Sequence, residues 1–99
     1  MIVYWTHNAK RELRAIYDYI AQNSVRYARG MVDRITRRTQ QLATLPELGA
    51  IVPEYSDQSI REVLAYPYRI LYRIGASRIE VLSVVHGARQ LPADVPGNA

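Results

Sequence analysis

One stretch constrains the fold more than any other in this 99-residue chain: Tyr66 to Arg89, reading YPYRILYRIGASRIEVLSVVHGAR. A strand sends successive side chains to opposite faces, so Tyr68, Ile70, Tyr72 and Ile74 share one face and Arg69, Leu71 and Arg73 the other. Gly75, Ala76 and Ser77 supply a short polar turn, and Arg78 to Val85 returns with a dense set of Ile, Val and Leu. The stretch is an antiparallel hairpin. Its tyrosine face must be buried, and its arginine face, extended beyond the strand end by His86 and Arg89, is where a function is sought.

The rest of the chain supplies what covers that hairpin. Ile2 to Trp5 is a short β-branched and aromatic run that reads as an edge strand. Thr6 or Asn8 can cap a helix whose apolar stripe is Ala9, Leu13, Ile16, Tyr17 and Ile20. Asn23 ends it and Ser24 can cap a second helix, predicted from Val25 to Thr44 with Ala28, Met31, Val32, Ile35, Thr39 and Leu42 inward. So short a link makes the two helices antiparallel. Arg26, Arg29, Arg34, Arg37 and Arg38 crowd the outer side, either as a solvated face or as a docking surface for an acidic partner.

Pro46, Gly49 and Pro53 make a loop of residues 45–55. Ile60 to Ala65 is the next strand, with Arg61 and Val63 on one face and Ile60, Glu62 and Leu64 on the other. The order is β-α-α-β-β-β, an α+β fold in which a helical hairpin packs on one face of a small antiparallel sheet and the other face stays open. One domain over residues 1–92 is expected; after Arg89 the sequence QLPADVPGNA holds two prolines and a glycine, so the tail at 93–99 is expected to be extended or disordered.

Thirteen Lys and Arg against nine Asp and Glu leave a net charge of +4, a field that favours anionic partners. Twelve of the thirteen are arginine, whose planar fork suits phosphate or carboxylate. There are no cysteines, and His7 and His86 have no metal-ligand spacing, so no metal and no cofactor is expected. MIVYWTHNAK lacks the build of a signal peptide and no window approaches a membrane span, which makes a soluble cytoplasmic protein the expectation. No nucleophile elbow, phosphate-cradling glycine loop or HExxH pattern is present.

Phosphodiester cleavage would need a base, an acid and cations for the developing charge. Arg69, Arg73 and Arg89 offer cations, and His86 offers an imidazole as a candidate base. A second proton-transfer group is harder to find, since Glu62 and Glu80 serve only if they share the open face. Tyr68 and Tyr72 alternate with the arginines and so face the helices, away from any RNA on the open sheet.

WTHNAKRELRAIYDYI, LPELG, IREVLAYPYRILYRI and IEVLSVVHGARQLP together resemble the ParE/RelE toxin family of bacterial type II toxin–antitoxin systems, over roughly residues 1 to 92. The resemblance implies this same fold, with an antitoxin partner that neutralises the toxin. RelE-like members cleave mRNA on the ribosome, whereas ParE-like members poison DNA gyrase. The RelE-type arginines match at Arg69 and Arg89, but its lysine pair falls on Ile60 and Glu62 and its terminal tyrosine falls near Val95. In a sister branch a histidine and a tyrosine act together; His86 could imitate the first, but Gly87 stands in the second position.

The resemblance therefore leans to the ParE-like branch: a gyrase inhibitor acting by binding, in a hetero-oligomer with an antitoxin that has an acidic segment. The expected target-binding residues are Arg61, Arg69, Leu71, Arg73, His86 and Arg89. In the alternative, a ribosome-dependent mRNA endonuclease, Arg69, His86 and Arg89 are catalytic, with His86 as base. A third reading is a non-toxic basic binding domain.

Overall fold

A computed structural model describes residues 1–96. Its elements are β1 (Ile2–Trp5), α1 (His7–Ala21), α2 (Val25–Gln40), β2 (Ala50–Ile51), β3 (Ile60–Ala65), β4 (Tyr68–Ile74) and β5 (Arg78–His86). Thr6 Oγ1 accepts from Ala9 N–H at 3.1 Å and Ser24 Oγ from Tyr27 N–H at 3.1 Å, so each helix starts on a side-chain cap. α2 ends at Gln40 and tightens into a 3-10 turn over Gln41–Ala43, where an α-helix to Thr44 was expected.

The strands form one sheet in the order β1-β5-β4-β3-β2, with the helical hairpin on one face as expected. β1 runs parallel to β5, with Ile2 opposite Arg78 and Trp5 opposite Val81, so the sheet is mixed where an antiparallel one was expected. The reason lies in the connection. β1 reaches the other strands through both helices, and a helical crossover permits the parallel direction that a tight turn forbids. β2, unforeseen, is a two-residue edge beside β3.

The hairpin register has one irregularity, and much hangs on it. Leu71 stands opposite Ser83 and Tyr72 opposite Val81, which leaves Leu82 as the extra residue of a β-bulge. The bulge shifts the alternation of β5, sending Ile79, Val81 and Val84 to the helices and Leu82 and Val85 to the opposite face. The start of α1 secures it: Glu12 Oε1 accepts from Ser83 Oγ at 2.8 Å, from Val84 N–H at 3.1 Å and from Asn8 Nδ2 at 3.0 Å. Thr6 Oγ1 donates to Val81 O at 3.0 Å and Asn8 Nδ2 to Leu82 O at 2.9 Å. Backbone groups that the bulge removes from the ladder are thereby satisfied.

Ala9, Ile35 and Leu42 from the helical layer pack on Val63, Tyr68, Ile70 and Tyr72 of the sheet. The face expected to be open is covered. Leu71, 0% exposed, joins Ile60, Leu82 and Val85 in a second core closed by Val52, Tyr55 and Leu91. Leaving those side chains in water would cost roughly 1.5–3 kcal/mol each, so the loop before β3 and the chain after β5 are drawn over them. Of the tail expected to be extended or disordered, residues 97–99 lie outside the described residues. Its earlier part is placed against the sheet: Tyr55 Oη lies 3.4 Å from Asp94 O, which accepts its hydrogen bond, and Val95 packs on the second core.

The loop between α2 and β2 is pinned from β3 and β4. Tyr72 Oη donates to Pro46 O at 2.7 Å and accepts from Gly49 N–H at 2.9 Å, while Arg61 Nη1 donates to Gly49 O at 2.8 Å. A Cβ on Gly49 would collide with the Glu62 carbonyl and stand 2.8 Å from Tyr72 Oη. Gly49→Ala is therefore expected to destabilise the fold by about 3 kcal/mol, by overpacking against backbone that cannot yield. Thermal unfolding of the variant checks this; an unchanged midpoint would show that the loop shifts freely.

Candidate functional site

Arg69 is the residue on which the expected site centred, and it is already engaged. β4 directs it to the second face, where Nε donates to Glu62 Oε1 at 2.6 Å and Nη2 to Glu62 Oε2 at 3.0 Å. Nη1 donates to Glu54 Oε2 at 2.8 Å and Nη2 to Glu54 Oε1 at 3.0 Å. Two carboxylates thus grip one guanidinium in bidentate fashion, the geometry for which arginine is built. The Arg69 side chain is only 13% exposed. Its hydrogen bonds hold Glu54 below the usual glutamate range, and both glutamates push the Arg69 pKa up, so the guanidinium stays charged.

Arg73 is engaged more loosely, 3.4 Å from Asp57 Oδ2 and 3.4 Å from Ser59 Oγ. The Ser59 hydroxyl and N–H, at 2.6 and 2.9 Å, are the main reason that the Asp57 carboxyl lies below its ordinary value. Arg61 points to the helix side and secures Gly49 O, and Leu71 is sealed in the second core. Four of the six expected contact residues therefore serve the fold. The basic open face is replaced by a covered one whose arginines are matched by Glu54, Glu62 and Asp57.

His86 and Arg89 remain outside that cover, both exposed. The turn after β5 places them: Gly87 N–H donates to Pro67 O at 2.7 Å and Arg89 N–H to His86 O at 3.0 Å. Tyr68 meets the imidazole edge-on, with ring centroids 5.7 Å apart, and Ala88 N–H donates to His86 Nδ1 at 3.1 Å. A nitrogen that accepts carries no proton, so the neutral ring holds its hydrogen on Nε2 and presents a donor there. Between α1 and this turn lies a cleft of about 330 Å³, lined by Glu12, Ile16, Tyr19, Tyr68, His86 and Arg89. Among the described residues Arg89 has no acidic partner.

The same holds for Arg26, Arg29, Arg34 and Arg37 of α2 and for Lys10 and Arg11 of α1, so the uncompensated positive charge lies on both helices and at Arg89. Sequence reasoning left these arginines undecided and missed Glu54, Asp57 and Tyr55 altogether. A signal was there in VPEYSD, where apolar Val52 and Tyr55 are interleaved with acids inside a loop.

The fold is a compact mixed sheet under a helical hairpin, with its second face closed and basic groups at its margins. A model of the ParE toxin of type II toxin–antitoxin systems, parDE, matches residues 3–91, and the chain belongs to that family. A protein of Caulobacter vibrioides called Toxin RelE2 is 34% identical over 88 residues, covering 88% of this chain and 96% of its own. The fold is also similar to a solved chain described as the chromosomal ParDE TA system from P. aeruginosa, with a TM-score of 0.71 and 25% identity over 87% of this chain and 95% of that one. The protein is thus a type II toxin of the ParE family. No helix of the described residues is long and apolar enough to cross a membrane.

Arg69→Ala is expected to cost about 3 kcal/mol at neutral pH, because Glu62 and Glu54 are left facing each other without their cation. A carboxylate with a depressed folded pKa stabilises the fold above its unfolded value and loses that contribution as pH falls. The melting temperature of the native chain should therefore drop between about pH 5 and pH 2, and less steeply in Arg69→Ala. Melting curves across that range check both; an equal slope in the two proteins would sever Glu54 from Arg69.

Proposed function

We propose that this toxin acts in the cytoplasm by binding DNA gyrase and is neutralised by a cognate antitoxin that carries an acidic segment. The family match and the likeness to a ParDE chain support this reading. The observation that carries it is the engagement of Arg69. A guanidinium gripped by Glu54 and Glu62 has no free fork for a scissile phosphate. His86 is equally ill suited to the role of base. With Nδ1 accepting from Ala88 and the proton on Nε2, it has no free lone pair to take a proton from an attacking hydroxyl. The surface proposed to meet the target is His86 and Arg89 with the adjoining cleft, rather than the sheet face.

The competing reading is ribosome-dependent cleavage of mRNA, favoured by the RelE2 name of the Caulobacter vibrioides protein. Two assays separate them. Purified gyrase should lose supercoiling activity, or accumulate trapped cleavage complexes, at micromolar excess of the protein. If neither occurs and primer extension on translated message shows codon-positioned cuts, cleavage is the activity. Neither result, with unimpaired growth on induction, would leave a non-toxic binding domain.

Arg89→Glu is expected to relieve growth arrest at least tenfold in surviving colonies while keeping the melting temperature, since surface substitutions rarely move stability by more than ~0.5 kcal/mol. Full toxicity in that variant would move the contact elsewhere. Antitoxin affinity, read by titration calorimetry, should weaken as salt rises, because it depends partly on charge.

A further inference from the structure

The sheet begins at β1, which pairs with β5 and has no strand beyond it among the described residues. Thr6 N–H donates to Val81 O at 3.1 Å, which fixes how the strand is turned. Along a strand, the N–H and C=O of one residue point to the same side, and the side changes at every step. Ile2, Tyr4 and Thr6 therefore face β5, and Val3 and Trp5 turn both backbone groups outward. Such an edge is a template for another strand unless a lysine, a proline or a bulge guards it. The sequence IVYW and its regular register with β5 hold none of these.

The side chains around those groups are apolar on both faces of the sheet. Val3 and Trp5 pack at the margin of the helical core and are only partly buried. On the second face Ile2 is 74% exposed and Tyr4 42% exposed. Arg78, the guanidinium beside them, lies 4.4 Å from the centre of the Tyr4 ring and pairs with Glu80 at 3.1 Å. Charge is thus matched here, in contrast to the outer sides of the helices and the turn at Arg89. On a chain of net charge +4, this edge is where two like molecules approach with little repulsion.

We propose that β1 pairs antiparallel with β1 of a second copy of this chain, across a two-fold axis at Tyr4, so that two five-stranded sheets become one. The register follows from the outward groups. With Tyr4 opposite Tyr4 of the second copy, Val3 of each chain stands opposite Trp5 of the other, and each such pair exchanges two N–H···O bonds. Those bonds use every outward group of both residues. On the second face the two tyrosine rings meet at the position without hydrogen bonds, where side chains come closest. On the helix face valine meets indole, and aromatic and aromatic–β-branched pairs are those that stabilise neighbouring strands. An acidic segment fits this edge less well, because it finds no free arginine to answer its charge. Strands of four residues give a joint smaller than the roughly 1,200 Å² of ordinary stable interfaces, so the dimer forms reversibly. It requires neither a target nor an antitoxin.

Analytical ultracentrifugation of the full chain measures this, with amide hydrogen exchange to locate the joint. The mean mass is expected to rise from one copy toward two between micromolar and near-millimolar concentration and to stop there, because a two-fold contact closes on itself. Exchange at Val3 and Trp5 should slow at least threefold over that range, and more than at Tyr4, whose N–H already faces β5. Tyr4→Lys sets like charges opposite each other and should weaken the dimer at least tenfold with far-UV circular dichroism unchanged. Mixing Tyr4→Lys with Tyr4→Glu should restore it, since position 4 faces only itself across the axis. Leu64→Asp, at the opposite edge of the sheet, should leave it intact. No rise in mass, a rise without protection at Val3 and Trp5, or association that survives Tyr4→Lys would overturn the proposal. So would a folded mixture that stays monomeric, loss of the dimer in Leu64→Asp, or growth beyond two copies, the mark of a head-to-tail contact. If Tyr4→Lys does not fold, exchange at Val3 and Trp5 in the native chain decides.

Discussion

The pairing of β4 with β5 is apolar on both faces, and the remainder of the molecule is arranged to meet that condition. Ile70 and Tyr72 with Val81 and Val84 require a cover on one side, and Leu71 with Leu82 and Val85 require one on the other. A helical hairpin supplies the first. The second comes from irregular chain, the loop that carries Val52 and Tyr55 and the segment that carries Leu91. A strand that reads as alternating polar and apolar on β4 is thus central in a three-layer arrangement, because the arginines flanking Leu71 are neutralised where they stand.

That neutralisation explains which parts of the fold were legible in the sequence. Period-two alternation assigned the tyrosine face of β4 to the helices, and placed Arg61 and Glu62 on opposite faces of β3, because a paired strand has no freedom to do otherwise. The caps at Thr6 and Ser24 could be read for a similar local reason: a hydroxyl at a helix start satisfies an otherwise unpaired N–H. The cover of the second face could not be read this way. Val52, Tyr55 and Leu91 sit between prolines and acids with no periodicity, and their burial is decided by contacts with strands far along the chain. The bulge at Leu82 escaped too, since IEVLSVV is apolar in either register.

The consequence for function is a change in what an arginine signifies. Spacing placed Arg69 and Arg73 on one face correctly, yet the inference from spacing to availability failed. Whether a guanidinium is free depends on carboxylates 7 and 15 residues away in sequence, Glu62 and Glu54, and no local pattern announces a partner at those distances. Arg34 and Arg37 show the converse. Their repetition on a helix surface left a solvated face and a docking surface both open, and only the folded chain shows that they line a groove whose other wall is Leu64 and Ala65.

Division of labour among the twelve arginines follows from geometry rather than from number. Arg61, Arg69 and Arg73 lie within reach of neighbouring strands and loops, where a carboxylate or carbonyl is built in for each, and Arg78 pairs with Glu80 of its own strand. A helix offers fewer fixed partners on its outer side, since only residues three and four apart come close. Along α2 the acid within that reach is Asp33, set against Arg26, Arg29, Arg34, Arg37 and Arg38. Among the described residues, positive charge without an acidic partner therefore lies on the outer sides of the two helices, Lys10 and Arg11 on α1 and the arginines of α2, and at the turn of Arg89.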